Sequence, residues 1–390
     1  DGRLSLERAG RATELNQGGD VGADRLADVA PYLARYTVPG SRFLWQDITL
    51  SPHFPDVAGS IEQLYPRFGG EPLDGVVSLD PIAIAAFLEL TGPVSVPEWP
   101  EPLGPLNAAD VLLRQQYLAL GDDGGFTNPE RIDFLDSLVE ALFERLETME
   151  LPGPARMAEV LGPMVRQDRL QLHSPVPAEQ AVFERLGAAG SLAPVVGDYV
   201  SLVTNNSGGN KIDLFLDRAL SYRATFDPAT GAVTATAEIN LANRAPASGL
   251  PEYLIGSSGP TDIPPGTNRL FLSLLSPLAL EGATLDGELL PMSTEVLEGR
   301  NVYSAFVSIP PESSRVVTLE LTGDLGPGPT YQLDVGHQPT IEPDAVEIRL
   351  EPPPGWRLDE LAGMTRSAAA ATTTLALSKE QQLSATFSRR

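Results

Sequence analysis

Cysteine is absent from the 390 residues, which excludes a disulfide framework and any thiolate metal site. A chain without cysteine is compatible with export, where accidental oxidation is avoided. Lysine is nearly absent too. Lys211 and Lys379 are the two lysines among 27 basic residues, so the other 25 are arginine. The three histidines, His53, His173 and His337, lie in unrelated segments without zinc-site spacing, and they read as ordinary loop or strand residues. No run of about 18 apolar residues exists to span a bilayer, and no basic start followed by an apolar core marks a signal peptide. The nucleophile elbow G-x-S-x-G and both glycine-rich phosphate loops are missing. Positive charge is scarce overall, with a net charge of −25 and a pI near 4.4. Such a surface repels phosphate backbones, so nucleic acid is not expected as a partner. A local anion pocket stays open to a chain that can cluster its arginines.

What is present is a globular composition, 42% hydrophobic and 20% charged, over a length that predicts two or three domains. Asp1-Gly2 is a hairpin turn pair and Arg3–Arg8 reads as its second arm. The missing first arm predicts an upstream segment carrying an anchor. Apolar spacing predicts helices over Ala23–Tyr36 and Asp56–Tyr65. Val76–Leu79 is a strand of buried type, and Asp80 with Pro81 is an N-cap followed by proline at the first helical position. Gly92-Pro93 ends that helix, and Val94-Ser95-Val96 is expected to be the next strand. Asn107 is expected to cap a helix through Leu118. Asn128-Pro129 starts the longest helix, with Ile132, Leu135, Leu138, Val139, Leu142, Phe143 and Leu146 on one stripe. Helices follow at 155–168 and at 178–186, the latter ended by Gly187.

From about residue 198 the period changes to two. Val233, Ala235, Ala237, Ile239 and Leu241 share one face, and similar runs occur at 220–226, 269–275, 302–309, 315–321, 330–335, 345–350 and 382–387. The sequence therefore predicts an α/β domain over 1–200 and a β-sandwich-like region over 201–390, as one module or two.

Several groups could carry chemistry. Gly208-Gly209-Asn210-Lys211 could present backbone N–H groups to an anion, although a glycine-rich turn is the better reading. Asp122-Asp123 could hold a cation, against the plainer reading of a solvated loop. In Phe43-Leu-Trp45-Gln-Asp47, Trp45 and the later Phe54 are read as core aromatics. Arg114, on the helix before the acidic loop, and Arg131, in the first turn of the helix after it, form the sharpest hypothesis. Guanidinium groups beside a helix N-terminus make an anion site, and solvated or ion-paired arginines are the plain alternative. Arg114, Arg131 and Asp47 are the candidate site residues.

Two resemblances bear on these residues. Ser51-Pro-His-Phe-Pro55, Ile61-Glu-Gln-Leu-Tyr65, Leu73-Asp-Gly-Val-Val-Ser-Leu-Asp-Pro81 and Phe87–Val96 resemble domain-of-unknown-function family 4012, as do Leu113-Arg-Gln-Gln-Tyr117 and Gly208–Lys211. The resemblance covers residues 1–255 and implies a membrane-anchored bacterial envelope protein. The order of elements more distantly resembles the LytR-CpsA-Psr domain, a mixed sheet with flanking helices. That domain transfers glycopolymers from a polyprenyl-pyrophosphate carrier to the cell wall, using arginines and Mg²⁺ on the pyrophosphate. Arg114 and Arg131 match two of its arginines. Gln116 and Phe134 stand where further basic residues are usual. The resemblance implies an extracytoplasmic protein tethered to the membrane, with polyprenyl-phosphate-linked glycan, cell-wall polymer or other envelope proteins as partners. It leaves three roles open: a degenerate carrier-binding domain, an active transferase using Mg²⁺, and a non-catalytic scaffold or adhesion protein.

Overall fold

The computed structural model describes residues 5–18, 32–33, 43–120, 128–150, 152–257 and 262–390. They belong to two compact units, Asp1–Leu192 and Ala193–Arg390, where the sequence suggested a cut after residue 200.

In the first unit the longer helices are Phe54–Leu64, Pro81–Thr91, Pro129–Thr148, Pro154–Arg166 and Pro177–Leu186, each with proline in its first two positions. Proline is tolerated there because those N–H groups have no intrahelical partner. Asp80 caps its helix by accepting from the Ala83 N–H at 2.8 Å, and Asn128 accepts from the Arg131 N–H at 3.2 Å. Gly187 ends the last helix with φ 71°, a left-handed conformation that glycine adopts without strain. The expected helix over Ala23–Tyr36 lies almost wholly outside the described residues. Ser5–Arg8, the described part of the expected hairpin arm, have no regular structure.

Strand pairing in this unit departs from expectation. β1 (Val76–Leu79) pairs antiparallel with β2 (Leu170–His173), from Val76 opposite His173 to Leu79 opposite Leu170. Val94–Val96 is not a strand. Val94 makes a single bridge to Leu103, with N–H···O distances of 2.9 and 2.7 Å. The prolines at 97, 100, 102 and 105 explain this, since each lacks the N–H that a ladder needs. Asn107 likewise does not cap by its side chain. That side chain is already committed, accepting from the Gly104 N–H and donating to the Pro102 carbonyl. Among the described residues, this unit therefore holds helices and one two-stranded antiparallel sheet.

The second unit is built from strands β3 (Asp198–Asn206), β4 (Leu216–Phe226), β5 (Ala232–Asn243), β6 (Asn268–Ser276), β7 (Ala279–Leu285), β8 (Glu288–Leu289), β9 (Ser293–Leu297) and β10 (Arg300–Ile309). It continues with β11 (Ser313–Asp324), β12 (Thr330–Gly336), β13 (Asp344–Glu351), β14 (Trp356–Ala362), β15 (Thr365–Ser367), β16 (Ala370–Leu377) and β17 (Gln381–Arg389). Each of the eight runs read from the sequence falls inside one of these strands. The alternation of β5 is observed residue by residue, with Val233, Ala235, Ala237, Ile239 and Leu241 all buried.

Seven strands form one sheet in the order β14-β17-β12-β3-β6-β10-β9, and eight form the other in the order β15-β16-β13-β4-β5-β11-β7-β8. One continuous core joins them. Leu202, Leu272, Val307 and Val335 come from the first sheet, and Leu220, Ile239, Leu319 and Ile348 from the second. The region is thus a single two-sheet body. Two parallel pairings hold its halves together, β12 against β3 and β13 against β4. All other pairings among the described strands are antiparallel.

Candidate functional site

The helical segment bearing Arg114 is irregular. Ala108–Asp110 and Gln116–Ala119 are α-helical, and Val111–Gln115 between them is a π-helical turn. Such turns recur at functional positions because they redirect side chains within a helix. Here Val111, Leu112, Gln116 and Tyr117 are turned inward while Arg114 and Gln115 are exposed. Val111 and Leu112 join a core cluster with Leu88, Leu103 and Phe134.

Arg131 is placed differently. It is 4% exposed, and its guanidinium carbon lies 5.7 Å from the centre of the Tyr117 ring, a cation–π contact. Asn128 fixes the geometry by donating to the Leu120 carbonyl while capping the helix that carries Arg131. The two positions where basic residues were looked for are filled by packing. Gln116 is 2% exposed and donates to the Leu112 carbonyl one turn back. Phe134 is fully buried, with its ring 5.6 Å from that of Trp99. Of these four positions, Arg114 alone presents a guanidinium at the surface.

Asp47 ends a short 3-10 helix, Trp45–Asp47, and burial raises its pKa above the ordinary carboxylate value. Trp45 and Phe54 are core residues, 3% and 4% exposed. Trp45 meets Phe43, Tyr65 and Phe68 edge to face. Asp122 and Asp123 lie outside the described residues. Among the described residues no three histidine or acidic side chains converge to hold a metal ion. His53 Nδ1 accepts from the Leu192 N–H at 3.1 Å, and His173 Nε2 lies 3.4 Å from Glu62.

The Gly208–Lys211 turn does not cradle an anion. The N–H groups of Gly208 and Gly209 both donate to the side-chain carbonyl of Asn206, at 2.8 and 3.0 Å. The side chain of Asn210 in turn bonds Asn206, the Ile212 N–H and the Gly256 carbonyl. Asp80, within the Asp-Gly-Val-Val-Ser-Leu-Asp motif, also takes Arg169 as an ion-pair partner, so this motif ties the start of a helix to β2.

Buried polar chemistry is concentrated instead on the parallel seam of the β-unit. Arg218 on β4 grips Asp344 on β13 with two 2.7 Å hydrogen bonds. Its remaining terminal nitrogen donates to Thr204 and Gln338. Asp198 at the start of β3 accepts hydroxyl protons from Tyr222 on β4 and Tyr331 on β12. That carboxylate thereby bolts the two sheets together. Periodicity gives no sign of either cluster, because the partners lie far apart in sequence. A third feature was legible and passed over. The inward run Tyr303, Ala305, Val307, Ile309 puts Phe306 outward, and it is 54% exposed.

No curated protein matches the chain. Among solved structures, a protein from Legionella pneumophila described as nutrient binding is similar at 8% identity and a TM-score of 0.31, over 49% of this chain and 72% of that one. An M1 zinc metallopeptidase from Deinococcus radiodurans is similar at 11% identity and 0.25, over 44% and 42%. The native leukotriene A4 hydrolase from Saccharomyces cerevisiae is similar at 10% and 0.27, over 44% and 29%. The chain thus spans less than half the length of either enzyme, and these scores establish no common fold. The family evidence is firmer and shorter than the expected 1–255: residues 1–117 match the family described as Protein of unknown function (DUF4012).

Proposed function

We propose that this chain is the extracytoplasmic part of a tethered cell-envelope protein that acts by binding, as a scaffold or adhesion module, and not by turnover. The burial of Arg131 carries this reading. Glycopolymer transfer from a polyprenyl pyrophosphate requires several cations on the departing diphosphate. A guanidinium that is 4% exposed and set against Tyr117 is withdrawn from solvent. Gln116 and Phe134 are spent on a helix carbonyl and on the core. A degenerate LytR-CpsA-Psr-like ancestry would leave this pattern, with the helices kept and the cation cluster lost. The resemblance to family 4012 supports the envelope location and the tether.

One observation favours a second reading, in which the protein binds carrier-linked glycan without catalysis. Arg114 stands exposed on the π-helical turn, where a single headgroup could reach it. The test is glycan transfer from a polyprenyl-pyrophosphate donor to peptidoglycan with Mg²⁺ present, beside binding of the polyprenyl pyrophosphate in detergent. No transfer is expected. If carrier binds at the turn, Arg114→Ala weakens it about tenfold. Arg131→Ala instead lowers thermal stability, by about 2 kcal/mol. Transfer that Arg131→Ala abolishes while the fold persists would refute the non-catalytic reading.

A further inference from the structure

On the face of the seven-stranded sheet opposite its core, β6 and β10 bring four side chains into a square. Phe271 lies directly across from Phe306, and Arg269 directly across from Ser308. Successive members on one strand are two residues apart and so point the same way. The Phe271 and Phe306 ring centres are 4.8 Å apart, and the Arg269 guanidinium carbon sits 4.3 Å from the centre of the Phe306 ring. Phe306 is the exposed aromatic among the large exposed side chains of the described residues. Its ring is covered from the β6 side. On the other side β9 stops at Ser293, opposite Ser304, so no strand flanks Phe306 there.

Two features point to the chemistry of an occupant. Among the described residues no carboxylate pairs with Arg269, in a chain that carries 52 acidic residues against 27 basic ones. Arg244, Arg315, Arg349 and Arg357 on the same unit are each ion-paired. Arg269 is therefore an available cation on a strongly anionic body, held in place by the ring beneath it. The square measures about 5 Å across the strands and about 7 Å along them, the footprint of one sugar ring. It offers an aromatic surface for C–H contact, a hydroxyl from Ser308 and a forked cation that matches a carboxylate.

We propose that Phe306, Phe271, Arg269 and Ser308 form a platform for an anionic saccharide, with one uronate-type ring stacked on Phe306 and its carboxylate on Arg269. The inference deepens the binding role proposed above and rests on it, by naming a ligand class. An acidic peptide is the rival, since the edge of β10 beside Phe306 is open beyond Ser304; a flat stacking surface only one ring wide favours the sugar.

Isothermal titration of the full chain with hexagalacturonic acid, its fully methyl-esterified form and a hexaglutamate peptide decides the matter. The acid is expected to bind, and the neutral ester about tenfold more weakly. Phe306→Ala and Arg269→Gln should each reduce acid binding at least tenfold with an unchanged melting temperature, since both sites are on the surface, and Phe306→Tyr should retain it. Absence of uronate binding, equal affinity for acid and ester, indifference to Phe306→Ala, or peptide binding as tight as uronate would each overturn the platform. Glycan transfer in the carrier assay would refute the non-catalytic reading instead, whatever the platform binds.

Discussion

Arg218→Met is expected to destabilise the β-unit by about 3–5 kcal/mol, because it strands a buried carboxylate. The Arg218 and Asp344 side chains are 2% and 4% exposed, and two 2.7 Å bonds join them. The same substitution deprives Thr204 and Gln338 of their shared donor. The double variant Arg218→Met/Asp344→Leu removes both charges and should recover most of the loss. A buried ion pair often adds little over well-packed apolar residues, whereas half of one is costly. Denaturant unfolding, followed through amide exchange of β4 and β13, measures both. A single variant within about 1 kcal/mol of wild type, or a double variant no better than the single, would sink the argument.

The pair's position suggests why it is kept. Hairpins such as β4–β5 take their register from a local turn. Asp227 receives the Ala229 and Gly231 N–H groups, and Gly231 has φ 86°. The parallel pairings β3–β12 and β4–β13 have no such turn, since their strands are distant in the chain. A forked Arg218 that fits one carboxylate geometry fixes that register, where a slip of one residue would turn every side chain to the wrong face. The two buried polar clusters thus lie where local sequence is least able to specify pairing.

The same division explains what could be read in advance. Asp80-Pro81, Asn128-Pro129 and Gly187 announce helix ends through bonds made within a few residues, and the structure places those ends there. Alternation in β5 needs only its own side chains. The partner of β1 was out of reach, since Leu170–His173 is remote and Val94–Val96 is close. Only the prolines after it hint that Val96 leads nowhere. Arg131 is a candidate for an anion site because a helix N-terminus attracts charge, with a solvated or ion-paired side chain as the plain alternative. Its contact with the Tyr117 ring is made outside its own helix, and helical spacing cannot show which way a guanidinium folds. Phe134 did carry a signal, because an aromatic residue in place of a basic one indicates packing, and it is fully buried.

Asp198 contributes to the pH dependence of the β-unit in the opposite sense from most ion-paired carboxylates. The residue is completely buried, and no cation pairs with it. Burial pushes its pKa from 3.8 to about 6, and the hydroxyls of Tyr331 and Tyr222 and the Tyr199 N–H only partly offset that rise. The folded state therefore holds this proton more tightly than the unfolded state. Its contribution to stability is complete below pH 3.8 and is lost as pH rises through about 6. A gap of about two pH units is worth about 3 kcal/mol. Asp213 and Asp334, also raised by burial, act in the same direction. Asp198→Asn keeps the shape and removes the titration. The unfolding free energy of wild type minus that of this variant should fall by about 2 kcal/mol between pH 4 and pH 7. Subtraction cancels the many surface carboxylates common to both proteins. A difference that stays level, or rises with pH, would mean that Asp198 is ionised in the fold at pH 4 and that the two tyrosine hydroxyls and the Tyr199 N–H hold its charge between the sheets.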